Sequence, residues 1–425
     1  MRRTARDLRR GNRFEILRRL YRGVGVTRHE IAADTGLSFA TVSNTVAELL
    51  ELGILMEAGF RSSGGGRPRA VIAVNAARGA LVGVDIAETY VQAEVFDLRL
   101  QTLGTVERAL HPEENQPADV VAHVVAAVGA VLGDAGVDRA DVVGVGVSLP
   151  GQVDPEAGVS IFAPNWNWHD VPVGMALAGP LGLPLHVDNP LKASTVAHLW
   201  FGAGRAADDL VVVTLGTGVG AGLAFGGSLY RGVTNSAGEW GHTSLILDGR
   251  LCRCGNRGCV EAYVGAAGIM QNLRDLVPGS ALLHSDDQTA TITDLAAAAD
   301  RNDPVAVKVI TETARYLGAG VADLVNVINP EVVVLGGWVA GLLGPHLLPE
   351  VRNVIARHAL RRSGEAARLE LCQIGRNAVS LGAATLALEG FLATVDAVNP
   401  RHTGRNAHAS QHHRWPSTPA ANRPT

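Results

Sequence analysis

Three of the four cysteines in this 425-residue chain fall within eight residues, and this cluster constrains the local fold more than any other feature. Cys252, Cys254 and Cys259 are spaced Cys-x-Cys-x4-Cys, and His242 lies ten residues before the first of them. Thiolate and imidazole groups form a tetrahedral zinc site when four of them converge, and four protein ligands close the site. The spacing therefore predicts a structural Zn2+ held by these side chains. The alternative is a set of reduced thiols without metal.

Two acidic residues bracket the cysteine loop. Glu239 lies three residues before His242, and Glu261 lies two residues after Cys259. A metal loop that fixes two carboxylates suits a polyhydroxylated ligand, because carboxylates accept hydrogen bonds from neighbouring hydroxyls. The alternative is that both are surface acids beside a structural metal.

The pattern Glu-x-Gly-His, followed by Cys-x-Cys-Gly-x-x-Gly-Cys-x-Glu, resembles the signature of the ROK family, which contains bacterial sugar kinases and sugar-responsive transcriptional repressors. The resemblance implies that Glu239, His242 and Glu261 contact sugar hydroxyls, while the cysteines and the histidine hold zinc. It implies the same sugar-binding role for Asn165 and Asn189. The tryptophans at 166 and 168 either stack on an apolar sugar face or pack within their loop.

Charge is distributed unevenly along the chain. Residues 1–70 carry thirteen arginines and no lysine against seven acidic residues, whereas the remainder is net acidic. A basic head on an acidic body indicates that nucleic acid is a partner of the head alone. There is no run of eighteen uncharged apolar residues and no apolar signal region, so we expect no membrane span. Clustered cysteines suit a reducing cytoplasm.

Residues 1–75 are predicted to form a winged helix-turn-helix domain. Apolar residues at helical spacing over 12–21 indicate a first helix, and a capping-box pattern begins a second helix over 27–35. Ser38 can cap a third helix that ends near Leu52. Two short apolar strands around a Gly/Arg tip describe a wing. The alternative is a small helical bundle with a basic linker.

The third helix is expected to enter the major groove of DNA. The residues on its outer face that we predict to contact DNA are Ser38, Phe39, Thr41, Ser43, Asn44 and Thr45. Asn44 is suited to adenine and Phe39 to a thymine methyl group. On the wing, Arg67 and Arg69 are placed to enter a minor groove or bind phosphates.

Strand clusters alternate with helices over residues 76–395, which indicates an α/β fold. The predicted strands are 81–86, 91–96, 102–106 and 141–147, then 210–215, 220–225 and 332–335, with helices at 118–132 and 304–328. This duplicated order resembles the actin-like ATPase fold of sugar kinases, in which two lobes enclose a ligand cleft. Residues 396–425 are polar, contain prolines and lack periodicity, so a disordered tail is predicted.

The chain departs from the kinases of that family at two places. Where they have Asp-Ile-Gly-Gly-Thr at the first phosphate loop, it has Asp-Ile-Ala-Glu-Thr at 85–89, so Glu88 would repel an anion. Pro190 replaces the aspartate that deprotonates the sugar hydroxyl, a loss that typically costs about 10² to 10⁴ in rate. The glycine-rich stretches 215–222 and 329–337 resemble the second phosphate loop and the adenosine-side motif. We therefore predict that the sugar contacts remain and phosphoryl transfer is lost.

Taken together, these patterns predict a cytoplasmic, sugar-responsive transcriptional repressor of the ROK family that is not an enzyme. Its expected partners are operator DNA and a sugar or sugar phosphate. Because major-groove readers usually bind two half-sites, a homodimer or higher homo-oligomer is expected. Two alternatives remain open: an ATP-dependent sugar kinase with a DNA-binding extension, and a constitutive DNA binder whose body is a scaffold.

Overall fold

The structure is a computed structural model that describes residues 5–398, except residues 22, 24, 63–67, 286 and 376. The predicted tail from residue 399 onward and Arg67 at the wing tip lie outside these described residues. The last helix runs to Val398, three residues into the segment predicted as tail.

The N-terminal part of the chain, called the head below, is a winged helix-turn-helix domain as predicted. Its elements are α1 (Ala5–Tyr21), β1 (Val26–Thr27), α2 (Arg28–Thr35), α3 (Phe39–Glu51), β2 (Leu55–Arg61) and β3 (Arg69–Val74). The strands form an antiparallel sheet in the order β1-β3-β2, and the β2–β3 hairpin is the wing. Thr27 and Glu30 form the predicted capping box, and the Ser38 hydroxyl accepts a hydrogen bond from the backbone N–H of Thr41 at 3.1 Å.

The first lobe of the body is built on a five-stranded sheet with a small three-stranded sheet beside it. Its elements are β4 (Ala80–Ile86), β5 (Tyr90–Asp97), β6 (Thr102–Ala109), α4 (Pro117–Ala135), β7 (Val142–Ser148), β8 (Gln152–Asp154), β9 (Val159–Ala163), β10 (Trp168–Val171), α5 (Val173–Leu181) and β11 (Leu185–Asp188). The main sheet has the order β11-β7-β4-β5-β6. Because β4, β7 and β11 run parallel, their carboxyl ends meet at one edge.

By length and composition alone, α4 is long and apolar enough to cross a membrane. One of its faces is nevertheless buried against the first-lobe core, through Val120, Val124, Ala127, Val128 and Val131. A helix that buries one face against a core is typical of globular proteins.

The second lobe carries the other five-stranded sheet, in the order β14-β13-β12-β15-β16. Helix α6 (Pro190–Phe201) leads into this lobe, and helix α13 (Ala378–Val398) follows it. The elements of the lobe are β12 (Leu210–Leu215), β13 (Val219–Phe225), β14 (Ser228–Tyr230), α7 (Glu261–Val264), α8 (Ala266–Leu276), α9 (Gln288–Asp300), α10 (Pro304–Ile328), β15 (Val332–Gly336), α11 (Trp338–His358), α12 (Arg361–Ala366) and β16 (Arg368–Leu371). The predicted α/β body is confirmed. Helix α10 has the predicted bounds, because Asp303 caps its first turn and Asn329 adopts a left-handed conformation at its end.

The head shares one hydrophobic core with the body. The same apolar cluster contains Ile16 and Leu20 of α1, Trp200 of α6, Val212 of β12 and Leu388 of α13. Apolar burial contributes roughly 25 cal/mol per Å² removed from water, so this continuous cluster fixes the head on the body.

Candidate functional site

The parallel strands of the first lobe bring three polar residues together at their carboxyl ends. Asp85 of β4 and Asp188 of β11 both align with Ser148 of β7. Within the described residues the buried Ser148 hydroxyl has no hydrogen-bond partner. Burial raises the pKa of Asp85 to about 6, with Glu94 adding to the rise, although the Tyr90 hydroxyl donates to its carboxylate at 3.1 Å. Ligands of open α/β sheets typically bind at such an edge.

Asp188 anchors a polar network below the start of α6. Its carboxylate forms an ion pair with Arg231 and accepts hydrogen bonds from the Asn189 N–H at 2.9 Å and the Asn235 amide at 3.1 Å. The Asn189 side-chain oxygen caps α6 by accepting from the Lys192 N–H at 3.0 Å. Asn189, predicted to bind sugar, is therefore only 1 % exposed, and its oxygen already has a partner.

The first turn of α6 carries a lysine that the sequence analysis did not assign a role. Lys192 is fully buried, and its ammonium donates to the Ala237 carbonyl at 2.7 Å. Burial lowers the pKa of Lys192, while the nearby carboxylates of Glu239 and Asp188 oppose the shift. The lysine thus ties α6 to the loop that carries Glu239. No signal in the neighbouring sequence indicates that this lysine is buried.

The four predicted metal ligands converge. The ligand atoms of His242, Cys252, Cys254 and Cys259 all lie within 4.8 Å of one another. Nδ1 of His242 is 3.6 Å from the Cys252 sulfur, and the sulfurs of Cys254 and Cys259 are 3.8 Å apart. With Zn–S bonds of about 2.3 Å and Zn–N bonds of about 2.0–2.1 Å, tetrahedral ligands would have a nitrogen–sulfur distance of about 3.6 Å and a sulfur–sulfur distance of about 3.8 Å. The cluster could therefore hold a metal ion of that size.

The loop between these ligands depends on a glycine. Gly258 has a φ of +77°, and a Cβ there would lie 1.6 Å from the Ile246 carbonyl oxygen. Burial raises the pKa of the Cys252 and Cys259 thiols. Buried thiols on their own stay protonated, whereas a bound cation favours the thiolate. A metal bound among these donors would therefore favour their thiolate forms.

The two predicted sugar-binding carboxylates flank the metal cluster. Glu261 accepts a hydrogen bond from the Val219 N–H at 2.9 Å, which fixes it against the glycine-rich turn between β12 and β13. Burial raises the pKa of Glu239, and the Glu261 carboxylate adds to the rise, whereas Lys192 and His242 oppose it. The structure thus brings Glu239, His242 and Glu261 together around the loop of candidate metal ligands at 242–259, called the metal loop below.

Asn165 takes part in a bridge between the two lobes. Its amide nitrogen donates to Glu88, and its oxygen accepts from Arg253, which lies between two of the cysteines, at 2.6 Å. The Arg253 guanidinium is also 3.9 Å from the Glu88 carboxylate. A carboxylate of the chain itself therefore lies at the first phosphate loop, paired with an arginine of the metal loop. We call these three residues the cross-lobe bridge.

Trp338 lies at the glycine-rich turn between β12 and β13, and Trp166 and Trp168 lie in the turn before β10 and at its start. The Trp338 indole lies against the second glycine-rich turn, so close that a Cβ at Gly216 would be 3.2 Å from it. Trp166 and Trp168 are 7 % and 4 % exposed, and the Trp168 N–H donates to the Asn115 carbonyl at 2.8 Å. Both tryptophans are packed in their loop, which favours the packing interpretation over sugar stacking.

In the head, none of the six residues predicted on α3 is buried. Ser38, Phe39 and Asn44 are exposed, and Thr41, Ser43 and Thr45 are partly exposed. The exposed Phe39 ring lies 4.5 Å from the ring of His29. On the wing, Arg69 is exposed at the start of β3.

Several arginines of the head pair with carboxylates of the protein itself. Among the head residues that the structure describes, five arginines form ion pairs within the protein: Arg13 with Glu48, Arg18 with Asp208, Arg19 with Asp34, Arg28 with Glu57, and Arg61 with Glu30. These side chains hold the head together or attach it to the body. Counting charges in the sequence could not identify these pairs, because their partners lie between 15 and 190 residues apart along the chain.

The ROK family model matches residues 81–390, which is most of the chain. The chain belongs to the ROK family. It is 29% identical over 392 residues to a putative xylose repressor of Caldicellulosiruptor sp. strain Rt8B.4, covering 91% of this chain and 98% of that one. It is 26% identical to the xylose repressor of Bacillus subtilis strain 168, with 90% and 96% covered.

Kinases of the family match a shorter part of the chain. A glucokinase of Streptomyces coelicolor is 32% identical over 321 residues, covering 73% of this chain. A glucokinase structure from Streptomyces griseus, in complex with glucose and AMPPNP, has a TM-score of 0.64, 32% identity and also 73% of this chain, with 100% of its own.

A ROK family transcriptional regulator, a homologue of the E. coli MLC protein, has the same fold over 92% of this chain and 98% of its own, with a TM-score of 0.76 and 24% identity. The repressors and this regulator match head and body together. The prediction of a ROK family transcriptional regulator is confirmed.

Proposed function

We propose that this chain is a sugar-responsive transcriptional repressor, in which a sugar bound between the lobes changes the affinity of the head for operator DNA. The observation that carries this proposal is that similarity to repressors runs through head and body, whereas similarity to glucokinases is confined to about three quarters of the chain. The outer face of α3, with Arg67 and Arg69 of the wing, would contact the operator. A homodimer would match paired half-sites, and a role on operator DNA supports a cytoplasmic location.

The sugar would contact both lobes. Glu239, His242 and Glu261 approach it from the metal loop, with Nδ1 of the histidine directed to the metal and Nε2 left for a hydroxyl. Asn189 would contribute its amide N–H groups, because its oxygen caps α6. Asn165 would have to exchange its bonds to the cross-lobe bridge for bonds to the ligand.

We propose that the metal is Zn2+ in a structural role, held by His242, Cys252, Cys254 and Cys259. When bound, it would join the ends of the loop that positions Glu239 and Glu261, and residues that orient such a loop tune the site without contacting the ligand. The four donors leave no position open for a reacting water.

We also propose that phosphoryl transfer is lost. Pro190 carries no proton-accepting group, the Glu88 carboxylate lies at the first phosphate loop, and the Trp338 indole lies against the second. A carboxylate at that loop would repel a phosphate bound there. The glycine turn at 216–218 is retained, which is compatible with one alternative function, a kinase with a DNA-binding extension. Sugar-dependent ADP production by the purified chain would support that alternative.

A thermal-shift screen of the metal-loaded protein against neutral sugars and sugar phosphates tests the proposal. A ligand at about a hundredfold over its Kd stabilises the native state by roughly 2.7 kcal/mol. We expect at least one such sugar, with the shift lost in Glu239→Ala and kept in Glu350→Ala, which removes an acid outside the cleft. If no sugar in the panel shifts the melting temperature while operator binding is intact, the result would instead support the scaffold alternative.

A further inference from the structure

Helix α1 of the head contacts both lobes of the body. Toward the first lobe, the Tyr21 hydroxyl donates to the Leu98 carbonyl at the β5–β6 turn. Toward the second lobe, the Arg18 guanidinium donates to the Gly227 carbonyl at 3.0 Å and lies 3.6 Å from the Asp208 carboxylate. The Arg18 side chain is only 12% exposed. One helix of the DNA-binding head is therefore attached to both lobes of the body.

The same helix is joined firmly to the DNA-reading part of the head. Arg13 donates to Glu48 of α3 at 2.8 Å and to the Leu392 carbonyl of α13 at 3.3 Å. Arg19 forms an ion pair with Asp34 of α2. The apolar face of α1 also shares its core with the buried residues of α3. Any displacement of α1 must therefore move α3 with it.

The proposed sugar site lies between the two lobes that α1 connects. Asn189 caps the start of α6 at that site, and Trp200 near the other end of α6 packs edge-on against Tyr21, with ring centroids 5.3 Å apart. The cross-lobe bridge joins the lobes at the cleft. A ligand that replaces the bridge changes how the lobes are held together, and α1 contacts each lobe on its own.

We propose that α1 senses the relative position of the lobes, with the Tyr21 hydroxyl as a polar contact on the first lobe and the Arg18 guanidinium as a polar contact on the second. Hydrogen bonds weaken steeply outside a narrow range of distance and angle, so a small rotation of one lobe removes one attachment or carries α1 with it. Packed interfaces respond to such shifts by switching between discrete arrangements. Sugar binding and operator binding are thereby coupled through these two residues. This inference rests on the proposed repressor function.

The test uses the full chain and an operator selected from random DNA. Arg18→Met keeps the aliphatic stem and removes both polar contacts with the second lobe. Arg19→Met is the matched control, because it makes the same change one residue along and removes a pair that stays within the head. Tyr21→Phe is the second variant and keeps the ring in place. Operator Kd is measured by fluorescence anisotropy with and without the sugar that gives the largest thermal shift.

The wild type is expected to show a ratio of the two Kd values in the range of about 5 to 150 that is typical of allosteric coupling. Arg18→Met should bring the ratio close to 1 while the sugar still produces its thermal shift, and Arg19→Met should keep the wild-type ratio. Tyr21→Phe should also lower it. Wild-type ratios in both Arg18→Met and Tyr21→Phe would overturn the inference.

Hydrogen–deuterium exchange separates this inference from the proposed sugar response. Operator DNA alone should change amide exchange at residues 226–228, where the Gly227 N–H donates to the Asp208 carbonyl at 2.9 Å, and at 237–242 in the cleft. The change should be absent in Arg18→Met. If no sugar binds but these changes occur, the sugar response fails and the role of α1 stands. If operator leaves both segments unchanged, or if no operator is bound, the inference is wrong.

Discussion

Replacing Gly382 by alanine should destabilise the chain, although alanine is favoured over glycine in helices. Gly382 of α13 faces α6, and a Cβ there would lie 1.8 Å from the Ala193 carbonyl oxygen and 2.4 Å from its carbonyl carbon. Real Cβ atoms essentially never approach within 3.0 Å, so the two helix backbones must separate by about 1.2 Å. Overpacking of this kind costs about 1–3 kcal/mol, and separating the helices loses dispersion contacts along both.

The helix-propensity gain of about 1 kcal/mol opposes this cost but does not cancel it. Gly129→Ala in α4 is the matched control, because Gly129 is exposed within a helix and no described atom lies within 4 Å of its added Cβ. It should stabilise the chain by about 0.5–1 kcal/mol. Urea titration measures both variants. A Gly382→Ala midpoint at or above that of the wild type would refute the close helix packing, whatever the control shows.

Three further perturbations are expected to act at named sites. Cys259→Ser should lower bound metal from one ion per chain, measured by elemental analysis, and weaken sugar binding with it; undiminished sugar affinity in the metal-free protein would contradict the role of the loop. Asp85→Asn should leave stability unchanged near pH 4 and raise it by up to about 3 kcal/mol above pH 6, because the folded-state pKa of about 6 exceeds the ordinary 3.8 and charging the buried acid opposes folding. Equal effects at pH 4 and pH 8 would exclude this cause. His198→Leu should stabilise by about 1–3 kcal/mol, because neither ring nitrogen has a hydrogen-bond partner among the described residues. Burial lowers the pKa of His198 to about 4, so the wild type loses stability as pH falls from 6.5, and the gain should grow in that range.

Features set by local chemistry could be predicted from the sequence. The capping box at Thr27 and the convergence of the cysteine loop depend on residues a few positions apart, and both were predicted correctly. Helix α10 has the predicted bounds, and the structure shows a proline at its first position and a left-handed residue directly after its end. Signals of this range survive in a single sequence because the interacting groups are neighbours along the chain.

Features set by distant contacts could not be predicted in the same way. Arg18 and Asp208 are 190 residues apart, and Glu88 and Arg253 are 165 apart, so neither pair leaves a local pattern. The burial of Lys192 depends on the fold around α6, and nothing in its neighbours along the chain indicates it.

The continuous core between head and body has a consequence for building new sensors from this protein. A winged helix domain taken from another regulator would bring its own α1. The face of that helix toward the body would have to match Trp200, Leu388 and the carbonyl of Gly227. Grafts cut at residue 75 would expose the apolar surface that Ile16 and its neighbours now cover. Residues exchanged to change DNA specificity should therefore be confined to the outer face of α3 and the wing, so that α1 keeps its native contacts with the body.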